Sequence, residues 1–238
     1  MSARLLLDVA NLGAAYGLAQ VLFGVSMQLF AGETVALMGR NGAGKTTTMK
    51  TIMGLVRATS GAIRFQGQDI ARLQPFEIAR RGLGYVPEDR RIFTDLTVAE
   101  NLEVGRRAAA EGATAFTPEA LFDIFPNLAT MRGRRASAMS GGEQQMLTIA
   151  RTLMGNPVAL LLDEPSEGLA PVIVDQMIDA LLRLKKGGMS IIVSEQNLDF
   201  AATVADRAVV LEKGAVQFTG SMAELQSDAS GALSHLTA

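Results

Sequence analysis

Residues 39–46 read Gly-Arg-Asn-Gly-Ala-Gly-Lys-Thr, and this glycine-rich segment is the strongest single indication of fold class in the 238-residue chain. It fits the pattern G-x-x-x-x-G-K-[ST], in which glycines let successive backbone N–H groups turn inward around an anion. An apolar strand pattern precedes it and a helical pattern follows it, which is the context that a phosphate loop requires. We therefore predict a nucleotide phosphate site here; the alternative is a chance glycine-rich turn.

Each part of this loop has an expected task. Lys45 would give a positive charge to the β- and γ-phosphates, Thr46 a hydroxyl to Mg²⁺, and Thr47 a contact to the α-phosphate. The N-terminus of the following helix adds further N–H groups. The residues predicted to form the cradle around the phosphates of ATP are Gly39, Asn41, Gly42, Ala43 and Gly44.

A second motif supplies carboxylates. Residues 159–165 read Ala-Leu-Leu-Leu-Asp-Glu-Pro, an apolar strand that ends in two acidic side chains. Ligands of open α/β sheets bind at the carboxyl ends of strands, so Asp163 is predicted to orient Mg²⁺. Glu164, which points elsewhere, is predicted to be the general base for the attacking water. The alternative is a buried strand that ends in a solvated acidic turn.

A third motif, Met-Ser-Gly-Gly-Glu-Gln-Gln at residues 139–145, predicts the start of a helix. Ser140 is a favourable N-cap, and Glu143 lies three residues further on, as in a capping box. Such an exposed helix N-terminus can also bind a γ-phosphate. The sequence leaves open whether this end serves the chain's own nucleotide or that of a second copy.

The order of the apolar patterns predicts the fold class. Strands alternate with helices, and a helical block lies at about residues 90–155, so we expect one α/β domain over residues 1–238 with a parallel sheet and an inserted helical lobe. Strands are predicted at 5–9, 25–29, 33–38, 62–65, 83–86, 158–162, 190–193, 208–211 and 215–218. Helices are predicted at 44–56, 118–125, 140–154 and 171–186 and from residue 97. Residues 58–61 are read as a hairpin turn, and so are residues 212–214.

Composition narrows the possible functions. The net charge of −2 provides no general basic field for nucleic acid. Cysteine is absent and His235 is the only histidine, which excludes disulfide scaffolds, thiolate zinc sites and a Ser-His-Asp triad. No apolar run approaches the roughly 20 residues that cross a bilayer, so no membrane span is predicted.

Taken together, GRNGAGKTT (39–47), SGGEQQ (140–145), LLLDEP (160–165) and SEGLAP (166–171) resemble the ATP-binding subunits of ABC transporters. The resemblance extends from about residue 5 to residue 220. YVPEDRRIF (85–93) and VSEQN (193–197) are especially similar to the LivF-type subunits of branched-chain amino acid importers. The resemblance to these ATP-binding subunits implies a P-loop NTPase core with a mainly parallel sheet and an N-terminal antiparallel β subdomain.

The resemblance also implies roles for further residues. Tyr16 would stack on adenine, and the Ser140, Gly141 and Gly142 segment would close over the γ-phosphate held by a partner subunit. Residues 166–170 would cross the interface of that dimer. Glu88 occupies the position at which the family usually has a glutamine that reaches Mg²⁺ and the attacking water. Gln196 occupies the position at which most members have a histidine that contacts the γ-phosphate. The residues expected to be catalytic are Glu88, Glu164 and Gln196, and those expected to hold the metal are Thr46, Glu88 and Asp163.

Finally, the resemblance implies partners and a location. The implied partners are a transmembrane permease, a second ATP-binding subunit (a copy of this chain or a LivG-like one) and, indirectly, a solute-binding protein. The expected location is peripheral, on the cytoplasmic face of the inner membrane. Three alternatives stay open: an importer ATPase for urea, amides or another small solute, a soluble ABC-type ATPase of DNA repair or translation, and a weakly hydrolytic docking module. Glu88 and Gln196 keep the last one open, because they depart from the usual residues.

Overall fold

Two β-sheets and the helices around them make up the protein; the structure, a computed structural model, describes residues 4–109, 114–227 and 231–236. The strands are β1 (Leu5–Tyr16), β2 (Ala19–Phe30), β3 (Thr34–Met38), β4 (Ala58–Phe65), β5 (Gln68–Asp69), β6 (Leu83–Val86), β7 (Ala159–Asp163), β8 (Ser190–Glu195), β9 (Arg207–Glu212) and β10 (Ala215–Ser221). The helices are α1 (Lys45–Ile52), α2 (Pro75–Arg80), α3 (Val98–Gly105), α4 (Pro118–Ile124), α5 (Pro126–Ala129), α6 (Gly141–Leu153), α7 (Pro171–Lys186), α8 (Leu198–Val204) and α9 (Met222–Gln226).

The larger sheet has the strand order β10-β9-β3-β8-β7-β6. Its strands run parallel except for β10, which pairs antiparallel with β9 through the predicted hairpin. The smaller sheet, of order β2-β1-β4-β5, is antiparallel and built from the N-terminal part of the chain. The predicted α/β class, with an antiparallel N-terminal sheet and a mainly parallel core, is confirmed.

The parallel strands are apolar along their central residues because the sheet is covered on both faces. In β3, Ala36 and Met38 face one hydrophobic cluster, while Val35 and Leu37 face another. The first cluster contains residues of α3–α8, and the second joins α1 to the antiparallel sheet. This double burial fixes the positions of the strand ends, where the predicted motifs lie.

One predicted turn is wrong. Residues 58–61 lie inside β4, and β1 extends to Tyr16 instead of ending near residue 9. Gly61 has φ of 87°, and a Cβ there would collide with the backbone carbonyls of Ala10 and Asn11. The pairing of β1 with β4 shifts register just after Ala10. The glycine therefore permits a close approach between strands at a bulge, which a sequence pattern does not distinguish from a turn.

Between β6 and β7 the chain forms α3, α4, α5 and α6, within the stretch where helices were predicted. Residues 110–113 of that stretch lie outside the described residues. The helix predicted over 44–56 is shorter, because α1 ends at Ile52 and Gly54 has φ of 70°. Three short helices, α2, α8 and α9, were not predicted.

Among the described residues, the helices are too short or too polar to cross a bilayer.

Candidate nucleotide site

The carboxyl ends of four neighbouring parallel strands meet at one edge of the larger sheet. There β3 leads into the glycine loop, β7 ends at Asp163, β8 ends at Glu195, and β6 leads toward Glu88. A cavity of about 490 Å³ opens at this edge. Its lining consists of Val21, Asn41, Gly42, Gly44, Lys45, Thr46, Thr47, Glu88, Glu164 and Glu167. Two motifs that are far apart in sequence, the glycine loop and the acidic strand end, thus share one cavity.

The glycine loop has a backbone that only glycine adopts readily. Gly44 has φ of 107° and caps α1 without a side-chain hydrogen bond, so the first N–H groups of the helix have no side-chain cap. Gly39 has φ of 150°, and a Cβ there would strike the carbonyl oxygen of Leu211. Unpaired N–H groups at a helix N-terminus attract anions. The loop therefore has the geometry of a phosphate cradle.

Lys45 is buried, with 3% of its surface exposed, and it has three acceptors. Its Nζ lies 3.0 Å from Glu164 Oε1. It also donates hydrogen bonds to the carbonyl oxygens of Gly39 at 2.7 Å and Arg40 at 3.2 Å. The cation that is predicted to bind phosphate and the carboxylate that is predicted to act as base are therefore ion-paired with each other.

Asp163 is fully buried and accepts three hydrogen bonds. Thr46 Oγ1 donates to its Oδ1 at 3.0 Å, and Ser194 Oγ donates to the same oxygen at 2.8 Å. Tyr85 donates its hydroxyl to Oδ2 at 2.9 Å. Burial, together with the charge of Asp163, raises the pKa of Tyr85 well above its usual range, so the phenol remains a donor. These donors orient a carboxylate that is deep in the sheet edge.

Glu164 follows in a left-handed conformation, with φ of 46°. Its N–H is held by the Oγ of Ser194 at 2.9 Å, which helps to stabilise this uncommon backbone geometry. Burial raises the pKa of Glu164, but hydrogen bonds from Glu167, Lys45 and Gln196 outweigh it, so the pKa lies below its usual value. The carboxylate is therefore ionised and oriented, as a general base must be.

Glu167 completes the acidic part of the cavity. Its hydrogen bond to Glu164, followed by partial burial and the negative charge of Glu164, raises the pKa of Glu167 to about 7. The two carboxyl groups thus share a proton near neutral pH, with Glu164 the more acidic member.

Gln196 and Glu88 both lie at the site. Gln196 Nε2 donates to Glu164 Oε2 at 3.0 Å and to Asn41 Oδ1 at 2.8 Å, which links the strand end to the glycine loop. Glu88 is exposed and lines the cavity. The structure thus brings both of the unusual residues close to the predicted base.

The other predicted contacts lie apart from the cavity. Tyr16 is half exposed at the end of β1, and the lining given above does not include it. Ser140 caps α6 by accepting from Glu143 N, in a full capping box, and is exposed. Gly141 and Gly142 let Arg90 and Ile173 pack close to this helix end. Neither Tyr16 nor the Ser140 segment lines the cavity within one chain.

Several residues of the site were not predicted from sequence. They are Tyr85, Ser194, Glu195 and, as a cavity residue, Glu167. Glu195 is buried and accepts from the N–H of Ser166 at 3.1 Å, so it holds the turn that carries Glu167. Burial raises the pKa of Glu195. Polar side chains at the ends of apolar strands are the only signal that could have indicated these residues.

The donor set fits a magnesium nucleotide. The cavity offers backbone N–H groups and a lysine for phosphate, and the Thr46 hydroxyl for a hard cation. The Asp163 carboxylate, which is buried and does not line the cavity, lies 3.0 Å behind that hydroxyl as a second oxygen donor. The described residues contain no group of three or more acidic or histidine side chains that would hold a metal alone. Mg²⁺ commonly binds through one or two protein ligands plus the phosphates, and the chain provides such a set.

Comparison with known proteins agrees with this geometry. A family model described as "ABC transporter" matches residues 22–167. The high-affinity branched-chain amino acid transport ATP-binding protein BraG of Pseudomonas aeruginosa is 42% identical over 211 residues, covering 89% of this chain and 91% of BraG. The probable branched-chain amino acid transport ATP-binding protein LivF of Archaeoglobus fulgidus is 34% identical, covering 92% and 94%. The lipopolysaccharide export system ATP-binding protein LptB of Haemophilus influenzae is 35% identical, covering 94% and 93%.

Comparison with solved structures gives the same family. A nucleotide-free ATP-binding cassette from an ABC transporter superposes with a TM-score of 0.82 at 25% identity, covering 98% of this chain and 99% of the other.

Proposed function

This chain belongs to the ABC transporter family of ATP-binding proteins, and we propose that it powers an importer of branched-chain or related amino acids. It is an ABC-type ATPase, and it acts with a separate transmembrane permease. The proposed substrate class rests on the likeness to BraG and LivF. The single structural observation that carries the ATPase is the buried contact of 3.0 Å between Lys45 and Glu164 inside the glycine-loop cavity.

We assign the residues of this cavity as follows. The N–H groups of the glycine loop and Lys45 bind the phosphates, while Thr46, Asp163 and Glu88 hold Mg²⁺. When bound, the metal neutralises charge on the phosphate oxygens. Once Lys45 turns to the phosphates, Glu164 is free to accept a proton from water, and Gln196 keeps its carboxylate oriented.

The site of a single chain is incomplete, and we propose that a second ATP-binding subunit completes it. Ser140, Gly141 and Gly142 form a helix start that is exposed at Ser140 and lies outside the cavity of its own chain. A helix N-terminus of this kind binds anions, so it suits the γ-phosphate held by a facing subunit. We also propose that Tyr16, which is half exposed, stacks on the adenine of the nucleotide. The facing subunit is a copy of this chain or a LivG-like one.

We place the contact with the permease in a second cavity, of about 430 Å³. Apolar side chains such as Leu55, Phe76 and Phe93 line it, and all three are about half exposed. Arg151 lies beside them, and its buried Nη1 has no hydrogen-bond partner among the described residues. The other nitrogen, Nη2, donates to the carbonyl oxygen of Arg91 at 2.6 Å, so one N–H direction of this guanidinium is left for a partner. An apolar groove with such a donor suits a helix that carries one acidic side chain. The helical lobe at about residues 90–155 forms one wall of it.

We further propose that the subunit is peripheral to the membrane, on the cytoplasmic face of the inner membrane, where it would meet its permease and, through that permease, a solute-binding protein; the likeness to BraG and LivF supports this. No role with nucleic acid is proposed, because the net charge is −2.

Two experiments test the proposal. The first measures phosphate release by the purified chain with Mg-ATP, beside Lys45→Ala as the inactive reference; no release by the wild-type chain contradicts the ATPase. The second reconstitutes the chain with its permease in liposomes and compares ATP-dependent uptake of leucine, urea and a polar amino acid. Uptake of urea alone would reassign the cargo, and failure of all three would favour an export role such as that named for LptB.

A further inference from the structure

One buried side chain lies beside the site without a partner. Gln145, on α6, has 2% of its surface exposed, and neither its Oε1 nor its Nε2 has a hydrogen-bond partner among the described residues. A buried amide that makes no hydrogen bond is costly, and native proteins rarely keep one without a use for it. An apolar side chain of similar volume would fill the same position more favourably, so the amide requires an explanation.

The amide lines a cavity of about 160 Å³. Its lining consists of Glu88, Arg90, Gln145, Glu164, Pro165, Glu167 and Leu169. Three of these residues, Glu88, Glu164 and Glu167, also line the larger nucleotide cavity, so the two spaces share their acidic wall. The cavity is polar and large enough for several water molecules.

The surroundings of Gln145 connect two parts of the proposed site. Gln145 lies in the second turn of α6, whose first residues are the Ser140 segment assigned above to the nucleotide of the facing subunit. The same helix is tied to the segment that follows Glu88, because Thr148 Oγ1 donates to the carbonyl oxygen of Arg90 at 2.7 Å. Gln145 therefore lies on the same helix as the Ser140 segment and lines a cavity with the acidic wall.

In the structure, Glu164 takes one of its hydrogen bonds from Lys45. In the proposed function Lys45 turns to the phosphates, which removes that donor from the carboxylate. An ionised carboxylate that is 8% exposed then needs another donor. Gln145 provides an N–H without a charge, so it stabilises the ionised base without adding a second cation beside the phosphates.

We propose that Gln145 is a positioning residue for Glu164, which it reaches through water held in the 160 Å³ cavity once nucleotide occupies Lys45. The inference rests on the proposed ATPase function. In this proposal, α6 connects the nucleotide of the facing subunit, which the Ser140 segment contacts, with Glu164 of the same chain as α6.

The test compares Gln145→Met with Gln144→Met in the purified full chain. Gln144 is the matched control because its Nε2 donates to the carbonyl oxygens of Ala136 and Met139, which is a structural task away from the cavity. For Gln145→Met we expect kcat to fall about tenfold to a hundredfold, the effect of losing a hydrogen bond to a charged group. KM for ATP should stay within about twofold, and Tm should stay equal or rise.

The control should behave in the opposite way: Gln144→Met lowers Tm and keeps kcat within about twofold. Gln145→Asn, which retains a shortened amide, should recover part of kcat. Three results would each overturn the inference: a wild-type kcat in Gln145→Met, a Gln145→Met chain that does not fold, or Gln145→Asn as slow as Gln145→Met. Absence of phosphate release by the wild-type chain would instead overturn the ATPase assignment, and this inference with it.

Discussion

Replacing Glu164 with glutamine tests the central contact of the site, because it removes one charge from a buried ion pair. Lys45 is 3% exposed and Glu164 8% exposed, with 3.0 Å between Nζ and Oε1. Removing one partner of such a pair costs about 3–5 kcal/mol. The glutamine oxygen still accepts a hydrogen bond, so we take the lower end, about 3 kcal/mol. In a chain of this size, that lowers Tm by about 6–12 °C.

Binding of ATP should remove this difference in Tm between the variant and the wild-type chain. In the proposed function Lys45 pairs with phosphate oxygens in both ATP-bound proteins, so the Tm values with ATP should converge. The variant has no ion pair to break when ATP binds, so the free energy of about 3 kcal/mol that the wild-type chain loses on binding is not lost in the variant. Glu164→Gln should therefore bind ATP up to about a hundredfold more tightly than the wild-type chain. Its steady-state phosphate release should fall by at least about a hundredfold, because the proposed general base is gone.

Thermal unfolding with and without ATP in EDTA, together with phosphate release in Mg²⁺, measures these effects. Glu33→Gln is the matched control: it breaks the partly buried pair of Glu33 with Arg207, at 2.8 Å and away from the cavity. That variant should lose stability equally with and without ATP. If Glu164→Gln melted with the wild-type chain in the absence of nucleotide, the ion pair would have no energetic role. If it released phosphate at the wild-type rate, Glu164 would not be the base.

Three further predictions concern the partners of these groups. Gln196→Ala removes the donor to Glu164, so phosphate release should slow about tenfold with ATP binding retained, as measured by release and by ATP titration of the same preparation. Tyr85→Phe removes one hydrogen bond from Asp163 and should raise the Mg²⁺ concentration needed for half-maximal activity severalfold; an unchanged requirement would separate this bond from metal binding. The raised pKa of Glu167, about 7, means that its contribution to stability is present below the ordinary carboxyl pKa and is lost as the pH rises through 7. The difference in Tm between Glu167→Gln and the wild-type chain should therefore grow in favour of the variant from about pH 5 to pH 8, and a constant difference would refute the shared proton.

The sequence predicts most of this site because the relevant motifs are local. A glycine loop between a strand and a helix specifies a phosphate cradle in eight residues, and an apolar run before Asp163 specifies a buried strand with an acidic end. Both predictions depend only on near neighbours along the chain. The hairpin at residues 212–214 was predicted for the same reason, and β9 and β10 confirm it.

Residues that act across strands could not be found in this way. Ser194 pairs in register with Asp163 because β8 lies next to β7, and Tyr85 reaches the same carboxylate from β6 on the other side. A linear pattern does not give the strand order, so a serine and a tyrosine inside apolar runs look like ordinary strand residues. The misread Gly61 has the same origin, since the carbonyls that require it belong to β1.

The strand order also supports a proposed coupling between nucleotide binding and activation of the proposed base. Because β3 and β7 are both neighbours of β8, Lys45 after the first strand and Glu164 after the second lie within ion-pair distance. We propose that Lys45 gives up this carboxylate when it places its charge on a phosphate. In that proposal the free chain holds its base in an ion pair, and ATP is the ligand that releases it. The free energy needed to break the pair lowers the affinity of the wild-type chain for ATP, but it would confine an ionised and unpaired Glu164 to the nucleotide-bound state, in which Gln196 and Gln145 would orient it.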